Sequence, residues 1–126
     1  MNGSVQRTAL VVEDNPLNME LIEELLLAKG WTVWKASDVE EARQILAAGL
    51  PDLIFLDIQL PGQDGLSYAA QLRVEYGAQV PPLIAITAQA MKGDADKILA
   101  AGFDYYLPKP FDFSQFYRII EEALGR

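Results

Sequence analysis

A chain of 126 residues fits one compact domain; its apolar share of 51% suffices for a core, and its charged share of 22% is that of an ordinary globular surface. A formal net charge of -8 without any run of Lys or Arg disfavours direct nucleic-acid binding, and the crowding of acids between Glu13 and Asp64 suits basic partners or metal ions instead. The absence of cysteine excludes disulfides and thiolate chemistry, and the absence of histidine excludes a Ser-His-Asp triad, a histidine zinc site and a phosphohistidine formed on this chain.

Met1 to Thr8 lacks the basic region and apolar run of a signal peptide, and no later stretch approaches the roughly 20 apolar residues of a membrane span, so a soluble, cytoplasmic protein is expected. Residues 1–7 read as a flexible start and 8–126 as the folded domain. Ala9 to Val12 is the first unbroken apolar run, the pattern of a strand covered on both faces. Asn15-Pro16 then opens a helix with proline at its first position, and Leu21, Ile22, Leu25 and Leu26 form its buried stripe.

Thr32 to Ala36 alternates more and reads as an edge strand. Ser37 with Glu40 has capping-box spacing before the stripe Val39, Ala42, Ile45 and Leu46. Leu53 to Leu56 is a second central strand, followed by the helical period Leu66, Ala69, Ala70 and Leu72. Leu83 to Ile86 is the third. The segment from Met91 to Ala101 is less clean, with Ile98 and Leu99 as its apolar patch. Tyr105 to Leu107 is brief and aromatic, another edge strand, with Tyr105 and Tyr106 on opposite faces. Asp112 and Gln115 match a capping box ahead of Phe113, Phe116, Ile120, Ala123 and Leu124. Gly30, Gly49, Gly77, Gly102 and Gly125 each stand where one of the five helices would end, with left-handed C′ geometry expected.

Strand and helix therefore alternate five times, the signature of a doubly wound α/β fold with a parallel sheet and right-handed crossovers. Ligands in such sheets bind beyond the carboxyl ends of the strands. The residues found there are Glu13 and Asp14, Asp57, Thr87 and Lys109. Each alone has an ordinary explanation as a turn acid, a strand threonine or a surface lysine. Together they differ, because three converging carboxylates repel by roughly 4 kcal/mol per pair at about 4 Å and an effective dielectric near 20. A divalent oxygen-seeking ion, magnesium above all, would offset that repulsion, with Lys109 as a second positive charge. Asp57 could then act as a carboxylate nucleophile toward a phosphoryl group, with Thr87 and Lys109 on the phosphoryl oxygens.

The chain closely resembles the receiver domains of bacterial two-component response regulators, including single-domain cell-cycle and chemotaxis regulators, from Thr8 to about Leu124. The resemblance rests on Val11-Val12-Glu13-Asp14-Asn15, on Asp57 with Leu60-Pro61-Gly62 and Asp64-Gly65, on Ile86-Thr87-Ala88, on Ala101-Gly102-Phe103-Asp104, and on Tyr106-Leu107-Pro108-Lys109-Pro110-Phe111. It implies a flavodoxin-like sheet of order 2-1-3-4-5. It implies that Asp57 accepts the phosphoryl group and that Asp14, Asp57 and the Gln59 carbonyl bind Mg2+, with Glu13 assisting through water. It further implies that Thr87 and Lys109 hold the phosphoryl oxygens, that Thr87 and Tyr106 form a switch, and that the peptide before Pro110 is cis. By the same resemblance, Gln59 and Gln89 are expected to flank the path of attacking water as modulators of phosphate lifetime.

The partners so implied are a histidine kinase or histidine phosphotransfer protein and a downstream protein target contacting the fourth helix, fifth strand and fifth helix. No nucleic acid or membrane is implied, and the state is a monomer or a phosphorylation-dependent dimer. Such a protein is no enzyme toward other substrates; it catalyses only its own phosphorylation and dephosphorylation. An aspartate-nucleophile phosphatase would carry a second acid where Gln59 stands, and a flavodoxin-type flavin site would not place Glu13-Asp14 against a phosphate. A non-phosphorylated pseudo-receiver would lack part of the acidic set or the lysine. Met1 and the ending at Gly125-Arg126 favour a free-standing regulator over a receiver cut from a hybrid kinase or multidomain regulator.

Overall fold

The computed structural model describes residues 6–60, 64–88 and 94–125, with Asp94 described by its backbone alone. Five strands, β1 (Thr8–Val12), β2 (Thr32–Ala36), β3 (Leu53–Asp57), β4 (Leu83–Thr87) and β5 (Tyr105–Pro108), alternate with α1 (Pro16–Leu27), α2 (Val39–Ala48), α3 (Gly65–Tyr76), α4 (Asp94–Ala100) and α5 (Phe113–Leu124). The strands are all parallel, in the order β2-β1-β3-β4-β5. The two alternating, partly exposed segments are thus the edges, and the three uniformly apolar ones fill the middle, where both faces are covered.

Alternation along the strands divides the core in two. Leu10, Val12, Ile54, Leu56, Leu83 and Ala85 pack with α2, α3 and Ile98 of α4 on one face. Ala9, Val11, Leu53, Phe55, Ile84, Ile86 and Leu107 pack with α1 and α5 on the other, where Phe55 and Phe116 stack at 5.2 Å between ring centres. Tyr105 and Tyr106 separate onto these two faces. Gln6 and Arg7, within the expected flexible start, both hydrogen-bond Thr32, whereas residues 1–5 lie outside the described residues.

Several local expectations shift. The N-cap of α2 is Asp38, which accepts from the Glu41 N–H at 2.8 Å, while Glu41 accepts from the Ser37 N–H at 2.6 Å; the cap sits one residue later than Ser37, and the Glu41 side chain reaches the residue before the cap. Leu21, Ala70, Leu99 and Phe113 are exposed. Leu99 follows the buried Ile98, and consecutive residues are set about 100° apart around a helix, so only one of them faces the sheet. Phe113 is in phase with Phe116 but occupies the first turn of α5. Among the helix-ending glycines, Gly30, Gly77 and Gly102 have positive φ; Gly49 is extended and Gly125 has φ of -72°.

A residue absent from the expected stripes, Tyr68, lies on the buried face of α3 at 2% exposure, with the Arg43 guanidinium 5.6 Å from its ring centre. Its hydroxyl has no hydrogen-bond partner among the described residues, and burial pushes its pKa up to about 12. Tyr68→Phe deletes an unsatisfied polar group while keeping the ring. Urea unfolding should show a chain as stable as the parent or more stable by about 1 kcal/mol; a clear loss would reveal a buried partner for the hydroxyl.

Candidate functional site

The same alternation that sorts the core also aims the polar residues at the strand ends. Continuing past Val11, Phe55 and Leu107 by two residues reaches Glu13, Asp57 and Lys109, which therefore follow the α1/α5 parity of the sheet. Each is brought to the carboxyl edge by backbone pairing. The Glu13 N–H donates to Ala36 O at 3.0 Å, Asp57 pairs in register with Ile86, and the Lys109 N–H donates to Thr87 O at 2.7 Å.

Glu13 and Asp57 are almost wholly buried, at 1% and 3% exposure. Lys109 Nζ lies between them, 3.1 Å from Glu13 Oε1 and 3.3 Å from Asp57 Oδ2. The Gln59 N–H donates to Asp57 Oδ1 at 2.8 Å, and the Asn15 N–H to Glu13 Oε2 at 3.1 Å. Asn15 also caps α1, its side chain accepting from the Leu17 and Asn18 N–H groups, so the turn that carries the acids is the helix start as well. No role was expected of its N–H, because nothing in a sequence tells which carboxylate a backbone donor will face.

Asp14 is exposed, and one oxygen each of Glu13, Asp14 and Asp57 lies within 4.8 Å of the others. One ammonium group lies against the two buried carboxylates with the exposed Asp14 beside them, and Glu13 Oε1 meets Lys109 as an ion pair, with no hydrogen-bond partner for that buried oxygen among the described residues. Burial first, and then the hydrogen bond to Asp57, push the Glu13 carboxyl up to about 7. Hard oxygen donors in excess of positive charge, one of them unsatisfied, fit a divalent cation such as magnesium.

Thr87, fully buried, ends β4 opposite Pro108, and by alternation shares the face of Ala85 and Tyr106. The half-buried Tyr106 borders a cavity of about 220 Å³ lined also by Leu107, Pro108, Gln115, Arg118 and Ile119, between β5 and α5. The Lys109-Pro110 peptide is cis, as expected. Gln59 is exposed beside Asp57, and Gln89 lies outside the described residues.

Comparison with known proteins decides the family. The model of the response regulator receiver domain matches residues 9–121. This chain belongs to that family. The receiver is 37% identical over 119 residues to the polar-differentiation response regulator DivK of Brucella anthropi, an alignment covering 94% of this chain and 97% of that protein. DivK of Brucella ovis matches equally well. Among solved structures, the receiver domain of the sensor histidine kinase PA1611 from Pseudomonas aeruginosa superposes with a TM-score of 0.86 at 34% identity, covering 97% of this receiver and all of that chain; it has a magnesium ion coordinated in its active-site cleft. The chemotaxis response regulator CheY4 of Vibrio cholerae, at 20% identity and a TM-score of 0.87 over 94% of this receiver and 99% of that chain, shares the fold. Among the described residues, no helix of the receiver is long and apolar enough to cross a membrane.

Proposed function

We propose that this receiver accepts a phosphoryl group on the Asp57 carboxylate and passes the event on through protein contacts. The observation that carries this reading is the setting of Asp57: a buried carboxylate with a lysine ammonium at 3.3 Å, a backbone donor at 2.8 Å and two further acids beside it. An Asp57 oxygen attacks phosphorus, and the bond from phosphorus to the donor breaks with its electron pair leaving on the donor. Since these 126 residues hold no histidine, a phosphohistidine donor lies outside them, on a histidine kinase or a phosphotransfer protein.

Lys109 neutralises charge on the phosphoryl oxygens, and Thr87 donates its hydroxyl to them. Glu13, Asp14, Asp57 and the Gln59 carbonyl would hold Mg2+, which when bound supplies divalent charge to offset the acids and the phosphoryl oxygens. The magnesium in the PA1611 receiver supports that assignment. Movement of Thr87 toward the phosphoryl group frees space on the face it shares with Tyr106, whose inward turn alters the surface formed by α4, β5 and α5, where a downstream protein or a second copy binds. Gln59 and Gln89 set access of water to the aspartyl phosphate.

The test is incubation with magnesium and acetyl phosphate, read by intact mass. A gain of one phosphoryl group that is lost when EDTA replaces magnesium is the expected result. A folded chain that gains no mass under these conditions overturns the reading.

A further inference from the structure

The first residue of α3 touches the backbone of the proposed phosphoacceptor more closely than any side chain would permit. A Cβ built on Gly65 would stand 2.6 Å from Ile58 Cα and 2.7 Å from the Asp57 carbonyl oxygen, with the Asp57 carbonyl carbon at 3.2 Å. These are main-chain atoms of a central strand and the turn after it, not the free end of a side chain, so they cannot swing aside. The contact is reinforced by a hydrogen bond from the Gly65 N–H to Ile58 O at 3.0 Å, which closes the loop from β3 to α3. Gly65 does not have positive φ, so its backbone dihedrals do not demand glycine; the requirement is for space.

The neighbours of Gly65 hold the helix at this distance. Asp64 caps α3 by accepting from the Ser67 N–H at 2.7 Å, and Tyr68, Ala69 and Leu72 bury the helix face against the sheet. With α3 fixed from the far side, a group added at residue 65 has to displace the 57–58 peptide. That peptide carries the Asp57 side chain and leads to the Gln59 N–H that orients Oδ1.

We infer that Gly65 is a positioning residue: its lack of a side chain sets the height of the Asp57-Ile58 peptide and hence the place of the Asp57 carboxylate among Glu13, Asp14 and Lys109. The inference rests on the phosphoacceptor reading above and adds to it the start of α3 as the surface against which the acceptor is seated. Small displacements of a reacting group, or loss of a supporting contact behind a metal ligand, reduce rate or affinity by about 10-fold to 100-fold.

Gly65→Ala is compared with two controls. Gly49→Ala adds a Cβ at an extended glycine where nothing lies within 4 Å, and Leu72→Ala removes a buried side chain from the same helix. Gly65→Ala should shift the Gln59 amide resonance in the metal-free chain, weaken Mg2+ binding by about tenfold or more, and slow phosphorylation by acetyl phosphate by a similar factor. Gly49→Ala should do none of these, and Leu72→Ala should lower stability while leaving the Gln59 resonance and Mg2+ affinity near the parent values.

A folded Gly65→Ala chain with parental Mg2+ affinity and an unmoved Gln59 amide overturns the inference, as does a Leu72→Ala chain that loses both to the same extent. If Gly65→Ala does not fold, the parent carries the test: its Gly65 amide should shift on Mg2+ titration together with that of Gln59, and a silent Gly65 amide overturns the inference. A parent that binds Mg2+ but takes no phosphoryl group would instead sink the phosphoacceptor reading.

Discussion

Asp57→Asn is expected to lose the phosphoryl adduct completely while making the metal-free chain more stable. The amide keeps the shape of the carboxylate and an oxygen able to accept from the Gln59 N–H, now 2.8 Å from Oδ1. It removes a buried charge beside Glu13 and offers an N–H to a cluster in which Glu13 Oε1 has no hydrogen-bond partner among the described residues. Asp57 helps hold the Glu13 carboxyl up near 7, through a hydrogen bond and charge repulsion, so Glu13 should titrate lower in the variant. Lys109 loses one of two anionic neighbours but keeps Glu13 at 3.1 Å. The balance favours a gain of about 1–2 kcal/mol in urea unfolding with EDTA at pH 8. Labelling that persists in the variant would move the acceptor to another residue. A large loss of stability would mean that the Lys109-Asp57 contact outweighs the repulsion.

Much of this site was legible in the sequence because it depends on where strands stop. Val12-Glu13, Leu56-Asp57 and Ile86-Thr87 are sharp changes from apolar to polar at the ends of runs that only a doubly covered strand would carry, and parallel pairing then gathers those ends. The two edge strands were legible for the complementary reason, as both Thr32–Ala36 and the β5 aromatics are only partly buried. What failed depends on a single residue of helical phase. Ser37 and Asp38 are both competent caps, and the helix starts after Asp38, with Val39 and Ala42 buried. Leu99 and Phe113 are as apolar as their buried neighbours, so composition cannot tell which way each points. The bridging of Glu13 and Asp57 by one ammonium, and the seat that Gly65 provides, are distances between chain segments, on which local pattern is silent.

The pH dependence of stability should expose the strain among these acids directly. Glu13, ordinarily near 4.5, titrates near 7 in the fold, chiefly through burial. Between those values the folded chain binds a proton that the unfolded chain releases. The stabilisation is therefore fully present below pH 4.5 and lost as pH rises through about 7. In EDTA the chain should be more stable at pH 6 than at pH 8, by about 1–2 kcal/mol from this group. Lys109→Met removes the cation that opposes the shift and should cost about 3 kcal/mol at pH 8, where Glu13 and Asp57 are left buried and charged, and distinctly less at pH 6, where Glu13 takes up a proton. Magnesium should reverse the slope: its charge favours ionised Glu13, so binding releases protons near neutral pH, affinity falls on acidification, and saturating Mg2+ restores stability at pH 8. Urea unfolding across this range, with EDTA and with Mg2+, reads all three effects. A metal-free chain that gains stability from pH 6 to pH 8 would show that Glu13 is ionised and satisfied without a cation, and the case for a metal-dependent acceptor would fall with it.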